Sequence, residues 1–282
     1  MTNTIKTALL LGLMSGIILF LGQVVGGKDG LIIALGIAIL LNFFSYWFSD
    51  KIVLLSTGAQ QVSPTDAPKL HSIVEQLAYS ANIPKPRVYI IDTPMPNAFA
   101  TGRNPSHSAV AVTTGLLDIL DEHELRGVIA HELAHIKNRD ILISTVAATL
   151  AAAITFFVRM LAWGLMAAGN SRDNERGGSN AILGLLMIII APLLALIIQM
   201  WISRTREYQA DESGARIAGT PHGLASALAK ISEFSKRIND SPNPATAHMY
   251  IYSPLSGESL LRIFSTHPPV EERIKKLRSM TI

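Results

Sequence analysis

His131-Glu132-Leu133-Ala134-His135 sets two histidines four residues apart, with a glutamate beside the first. On a helix, positions i and i+4 share one face about one turn apart, so both imidazoles can reach one metal ion. Glu132 then projects where a base can take a proton from a water at that ion. The combination implies a zinc hydrolase that cuts peptide bonds. By chance, two histidines and a glutamate could share a helix as a polar face that binds nothing, but the flanking sequence speaks against this. Asp121 followed by Glu124 predicts a helix start with a capping box. From there Leu125, Val128, Ile129, Leu133 and Ile136 recur at helical spacing. The two histidines border that apolar stripe, and a partly buried histidine pair needs partners that a metal supplies.

The 282 residues are 49% hydrophobic and only 16% charged, against about 25% charged in an average soluble domain. Four apolar runs account for the difference: Thr7 to Val25, Leu31 to Phe48, Ile141 to Ala168 and Ala181 to Ile202. Each is near or above the roughly 18–20 residues that span a bilayer. The first run is long for a signal peptide, and its exit, Gln23-Val24-Val25-Gly26-Gly27, lacks a small-residue cleavage site. A tight turn over Gly27 to Gly30 leads into the second run, which predicts a membrane hairpin rather than a cleaved leader. Four spans put both termini on one side. Lys6, Lys51, Lys137, Arg139, Arg204 and Arg206 flank the spans there, against Lys28, Arg172 and Arg176 opposite. The bias places the termini in the cytoplasm. A net charge of +3 is too small to argue for nucleic acid, and the absence of cysteine excludes disulfides, thiolate catalysis and cysteine-ligated zinc.

These runs divide the chain into a transmembrane hairpin (5–48), a first cytosolic part carrying the histidine box (50–140), a second transmembrane pair (141–202) and a helical cytosolic part (203–282). In the first cytosolic part, Ala67 to Ala81 reads as a helix, and Arg87 to Ile91 and Ala109 to Thr113 as strands. Asn97-Ala98-Phe99-Ala100-Thr101-Gly102 reads as a short edge strand between them. Pro268-Pro269 fits the start of a final helix through Val270, Ile274 and Leu277. Each cytosolic part is small for its own core, so the two are expected to fold together.

A catalytic zinc site generally takes three protein ligands. Glu207, in Arg206-Glu207-Tyr208-Gln209-Ala210-Asp211, is the best-placed third. His135 lies just before the third run and Glu207 just after the fourth, so antiparallel spans return Glu207 to the face that His135 left. Asp211 is one helical turn beyond Glu207, where it can accept a hydrogen bond from a ligand histidine. Spacing alone leaves open that Glu207 and Asp211 merely pair with Arg204 and Arg206 on a solvated helix.

The box, the Glu207–Asp211 segment, the Asn97–Gly102 segment, Ser265-Thr266-His267-Pro268-Pro269 and four spans in this order together resemble the HtpX family. These are bacterial inner-membrane zinc metalloproteases related to the CAAX prenyl proteases. The resemblance covers essentially the whole chain, with no departure at the metal or base positions. It implies a mainly α-helical membrane protein with a small β-sheet. Four transmembrane helices would accompany a zincin-like, gluzincin-type α+β cytosolic domain. It implies one Zn2+ per chain held by His131, His135 and Glu207, with Glu132 as the catalytic residue. It also implies quality control of membrane proteins under stress, with the active site facing the cytoplasm.

Of the lesser residues, His267 is a candidate second donor to the reaction oxyanion, or a helix-terminus histidine before two prolines. Tyr208 could serve the same role, or pack in the core. Asn97, Ala98, Phe99, Ala100 and Thr101 could pair with substrate backbone as an added strand, or form an ordinary hairpin. Arg159 reads as a marker of the far membrane interface, and the 170–180 loop as a polar connector. The expected partners are membrane-protein and unfolded polypeptide substrates and the lipid bilayer. Oligomeric state is not legible. The competing functions are a prenyl-protein-type processing protease, a non-catalytic zinc-stabilised membrane chaperone, and a transporter. The intact Glu132 weighs against the chaperone, and the single intramembrane charge weighs against the transporter.

Overall fold

The structure is a computed structural model that describes residues 3–141, 206–235 and 268–282. The third and fourth apolar runs beyond Ile141, with Arg159, the 170–180 loop, Arg204 and His267, lie outside the described residues.

Helix α1 (Asn3–Trp47) is broken at Gly26 and Gly27. Gly27 has φ 58° and ψ −137°, a conformation open to glycine alone. The two arms fold back on each other. Asn42 Nδ2 donates to Ser15 Oγ at 2.8 Å, and a Cβ on Gly22 would stand 2.3 Å from the Ala34 Cβ. The turn thus lies at Gly26–Gly27 rather than across Gly27 to Gly30, because one glycine suffices to reverse the chain and Lys28 is already helical. Among the described residues, Gly26–Phe44 is the one stretch long and apolar enough to cross a membrane, and Leu11–Phe20 is a shorter apolar helix.

After helix α2 (Ser49–Ser56) come β1 (Gln60–Gln61), α3 (Pro68–Ala81), β2 (Arg87–Ile91), β3 (Ala98–Asn104) and β4 (His107–Thr113). Helices α4 (Thr114–Ile119) and α5 (Glu122–Lys137) follow, then α6 (206–218), α7 (His222–Ser235) and α8 (Val270–Arg278). The sheet order is β1-β2-β4-β3. β2 and β4 are parallel and the other pairs antiparallel, so the small sheet is mixed and β3 is an edge among the described residues. Period-two alternation assigns its faces. Val88, Val110 and Val112 join Leu70, Leu77, Val128, Ile129, Leu133, Leu224 and Leu277 in the main core. Tyr89, Ile91, Phe99, Ala109 and Ala111 pack on the other face with Leu54 of α2.

α5 runs through the centre of this core. Its start is a true capping box: Asp121 Oδ1 accepts from Glu124 N at 2.9 Å and Glu124 Oε2 accepts from Asp121 N at 3.0 Å. Glu124 also accepts from Ser226 Oγ at 2.6 Å and Lys230 Nζ at 2.7 Å, which ties α5 to α7. Two glycines set the spacing of the neighbouring helices. A Cβ on Gly127 would lie 2.3 Å from Leu224 N in α7, and one on Gly214 of α6 would lie 2.9 Å from His131 Cα.

Candidate active site

The central turns of α5 carry His131, Glu132 and His135, and α6 crosses α5 closely enough at Gly214 to bring Glu207 and Asp211 to the same place. His131 Nε2 and His135 Nε2 are 3.2 Å apart. Glu207 offers Oε2 at 3.6 Å from His131 Nε2 and Oε1 at 3.6 Å from His135 Nε2. The donor atoms of these three residues lie within 4.8 Å of one another. His131, Glu207 and Asp211 are buried, so the solvated-helix alternative for the two carboxylates does not hold.

Each imidazole has a carboxylate behind it. His131 Nδ1 lies 3.0 Å from Asp211 Oδ1, and His135 Nδ1 lies 3.0 Å from Asp140 Oδ2. A carboxylate at Nδ1 fixes the proton there and turns the Nε2 lone pair outward. Two unprotonated nitrogens aimed at one point repel unless a cation lies between them, a proton on His131 in the metal-free protein or a metal ion in its place. Nitrogens about 2.0–2.1 Å from one tetrahedral zinc ion would be about 3.3 Å apart, close to the 3.2 Å found. His131, His135 and Glu207 therefore fit one metal ion between them.

Electrostatics agree with that fit. Burial opposes a charge on His131, but Asp211 and Glu207 overcome it and push the pKa up to about 10. Burial likewise opposes charge on His135, and Asp140 overcomes it, raising the pKa. The pocket is thus built to hold positive charge at this point. Glu132 is buried and its pKa is raised by that burial, against the opposing pull of the two histidines. Its Oε2 accepts a hydrogen bond of 2.8 Å from Ala100 N–H on β3.

Two participants were not legible as such in the sequence. Asp140 follows the end of α5 and reaches back to His135 because Arg139 takes a left-handed conformation, φ 57°. The only sequence signal is an acid just past the helix end. Arg273 on α8 is fully buried. It donates from Nε and Nη2 to Asp211 and lies 3.4 Å from Glu207 Oε2. The guanidinium holds Asp211 at a pKa of about 2 in spite of burial, which acts to raise it. Arg273 sits in a short, strongly charged helix, where a basic residue is ordinarily solvated.

Of the other expected residues, Ala98 to Thr101 form the edge strand, and Ala100 touches Glu132. Asn97 is buried just before it and exchanges hydrogen bonds with Thr113. Tyr208 points away to Glu272, donating its hydroxyl at 2.9 Å, under a Lys276 ammonium.

The chain matches the model of peptidase family M48 over residues 64–281. It is 52% identical over 278 residues to a protease HtpX homolog of Desulforapulum autotrophicum, covering 99% of this chain and 90% of the relative. It is 53% identical over 279 residues to one of Pyrococcus furiosus, covering 99% and 96%. In fold it is similar to Ste24p of S. mikatae, with a TM-score of 0.55 at 19% identity, over 98% of this chain and 65% of that one. The chain belongs to peptidase family M48, as a metalloprotease of the HtpX type.

Proposed function

We propose that the protein is a membrane-anchored zinc endopeptidase that cleaves misfolded or damaged membrane proteins, and unfolded polypeptides, at the cytoplasmic face of the inner membrane. The observation that carries the reading is the convergence of His131, His135 and Glu207 beside Glu132, with an open strand edge against it. The membrane part rests on α1. Its second arm leaves Ile32 at 68% and Ile33 at 64% exposure, apolar surface that water would not tolerate along a whole helix. The four spans and the cytoplasmic termini of the sequence reading complete the topology.

Zinc bound by His131, His135 and Glu207 would supply Lewis acidity toward the scissile carbonyl and acidify water in the site. Asp211 and Asp140 orient the two imidazoles from behind. Glu132, buried and of raised pKa, takes the proton of the attacking water and passes it to the leaving amine. β3 seats the substrate. Thr113 N–H donates to Asn97 O across the β3–β4 pair. Alternation then turns the backbone groups of Ala98, Ala100 and Gly102 away from β4, toward an incoming extended chain. Pairing through backbone alone suits a protease of broad sequence tolerance. His267 stays a candidate second oxyanion donor.

Glu132→Gln is the direct test. The purified variant should keep one metal ion per chain and lose cleavage of an unfolded, casein-like substrate. Retained turnover would remove Glu132 as the base. Glu207→Ala should lose the metal, and unchanged metal content would move the third ligand elsewhere. The wild-type protein is best purified with a chelator and reloaded, because such an enzyme can digest itself.

A further inference from the structure

A cavity of about 540 Å³ opens at the foot of the hairpin, away from the metal centre. Phe43, Trp47 and Phe48 form its apolar wall. Lys51, Lys85, Arg87 and Arg103 face it, against one carboxylate, Asp50. Two of these cations are already paired. Arg87 Nη2 lies 2.7 Å from Asp50 Oδ2, and Lys85 Nζ lies 2.8 Å from Glu75 Oε2. Among the described residues, neither Lys51 nor Arg103 has a carboxylate partner. Both rest on aromatic rings instead: Arg103 over Trp47 at 4.6 Å and Lys51 over Phe48 at 5.6 Å. A guanidinium stacked on an indole uses its face and keeps its N–H edge for a forked acceptor such as a phosphate.

Placement says which phosphate. The apolar stretch Gly26–Phe44 ends at this cavity. Aromatic rings followed by basic side chains, at the end of an apolar helix, make up the composition of a membrane–water boundary. Phe43 is half exposed beside the cavity, which gives an acyl chain a surface that free phosphate would leave unused. We propose that the cavity binds the headgroup of an anionic phospholipid, its phosphate held by Arg103 and Lys51 and its tails lying along Phe43 and the second arm of α1. This rests on the membrane anchoring proposed above. Arg103 is two residues past Thr101 on β3, so an occupied headgroup site also pins the far end of the strand proposed to seat substrate.

The test uses the full chain in neutral detergent, titrated with phosphatidylglycerol or phosphatidylcholine and read by native mass spectrometry. Wild type should bind one phosphatidylglycerol about tenfold more tightly than phosphatidylcholine. Lys51→Ala/Arg103→Ala should lose that preference while keeping its metal content. Trp47→Leu, which leaves both charges, should weaken binding of both lipids. Equal binding of the two lipids by wild type, which needs no variant to fold, overturns the proposal, as does a preference that survives in the double variant. Displacement by millimolar inorganic phosphate as effective as by short-chain phosphatidylglycerol would make the site one for free phosphate and overturn the lipid assignment. Alkaline carbonate extraction separates the two readings. Release of the chain sinks the membrane anchoring itself, whereas retention without lipid preference sinks the headgroup site alone.

Discussion

Arg273 clamps Asp211 with two parallel hydrogen bonds, from Nε at 2.9 Å and Nη2 at 2.7 Å, inside the core and 62 residues away in sequence. The clamp sets the carboxylate that faces His131, and Arg273 also lies 3.4 Å from Glu207 Oε2 and 3.5 Å from His131 Nε2, so α8 helps to build the candidate metal site. Arg273→Leu would take the forked guanidinium from buried Asp211, leaving that carboxylate only His131, at a cost of about 3–5 kcal/mol. The expected result is a lower Tm and metal affinity reduced about 10–100-fold. Arg273→Lys keeps the charge but loses the fork, and should recover part of both. Unchanged metal affinity in the Leu variant, by competition with a chromophoric chelator, would take Arg273 out of the positioning role.

Asp140 does for His135 what Asp211 does for His131, from the other side of the site. Asp140→Asn keeps the shape and removes the charge behind the imidazole. Metal affinity should fall about 10–100-fold, with kcat following the metal occupancy rather than falling at full loading. A variant that binds metal as wild type does would show that the backbone turn alone positions His135.

Acid should compete with the metal. In the metal-free protein His131 titrates near 10, raised from 6.5. It is therefore protonated at neutral pH and must lose that proton to become a ligand. Metal binding at pH 7 should release about one proton or more per ion, and affinity should fall as pH falls. Calorimetry in buffers of different ionisation enthalpy reads this directly, and zero proton release would contradict it. The sign for stability is the reverse. A raised histidine pKa stabilises the metal-free fold fully below 6.5, and that contribution is lost as pH rises through about 10. The metal-free protein should lose Tm over that window, and the metal-loaded protein should lose less.

Gly214→Ala probes the helix crossing. The added methyl would stand 2.9 Å from both Cα and N of His131, backbone atoms that cannot swing aside. α6 must retreat, and Glu207 with it. Metal content and activity should drop together, with far-UV circular dichroism little changed. Full metal loading in this variant would mean that the crossing is softer than its spacing indicates.

Much of this was legible in the sequence because it is local. The box lies on a helix whose capping box and apolar spacing are both written within residues 121–136, and β2 spans the five residues its β-branched and aromatic run suggests. Glu207 was reachable from its place just after the fourth apolar run and from the family resemblance, and Asp211 from its i, i+4 spacing to Glu207. Asp140 and Arg273 were not, for two different reasons. Asp140 depends on one left-handed residue, Arg139, where no glycine marks the bend. Arg273 depends on a contact between helices far apart in sequence, and such a pairing leaves no periodic trace. The hairpin turn moved by a residue or two because several glycines there offered the same freedom, and only packing of Gly22 against Gly30 and Ala34 chose among them.

The N–H of Ala100 donates to the carboxylate of Glu132. A peptide seated along β3 as proposed would need that same N–H for its own carbonyl. On the proposed seating, an incoming strand would therefore release Glu132 from this bond. One shared donor would then couple engagement of the strand to the freedom of the carboxylate beside the histidines.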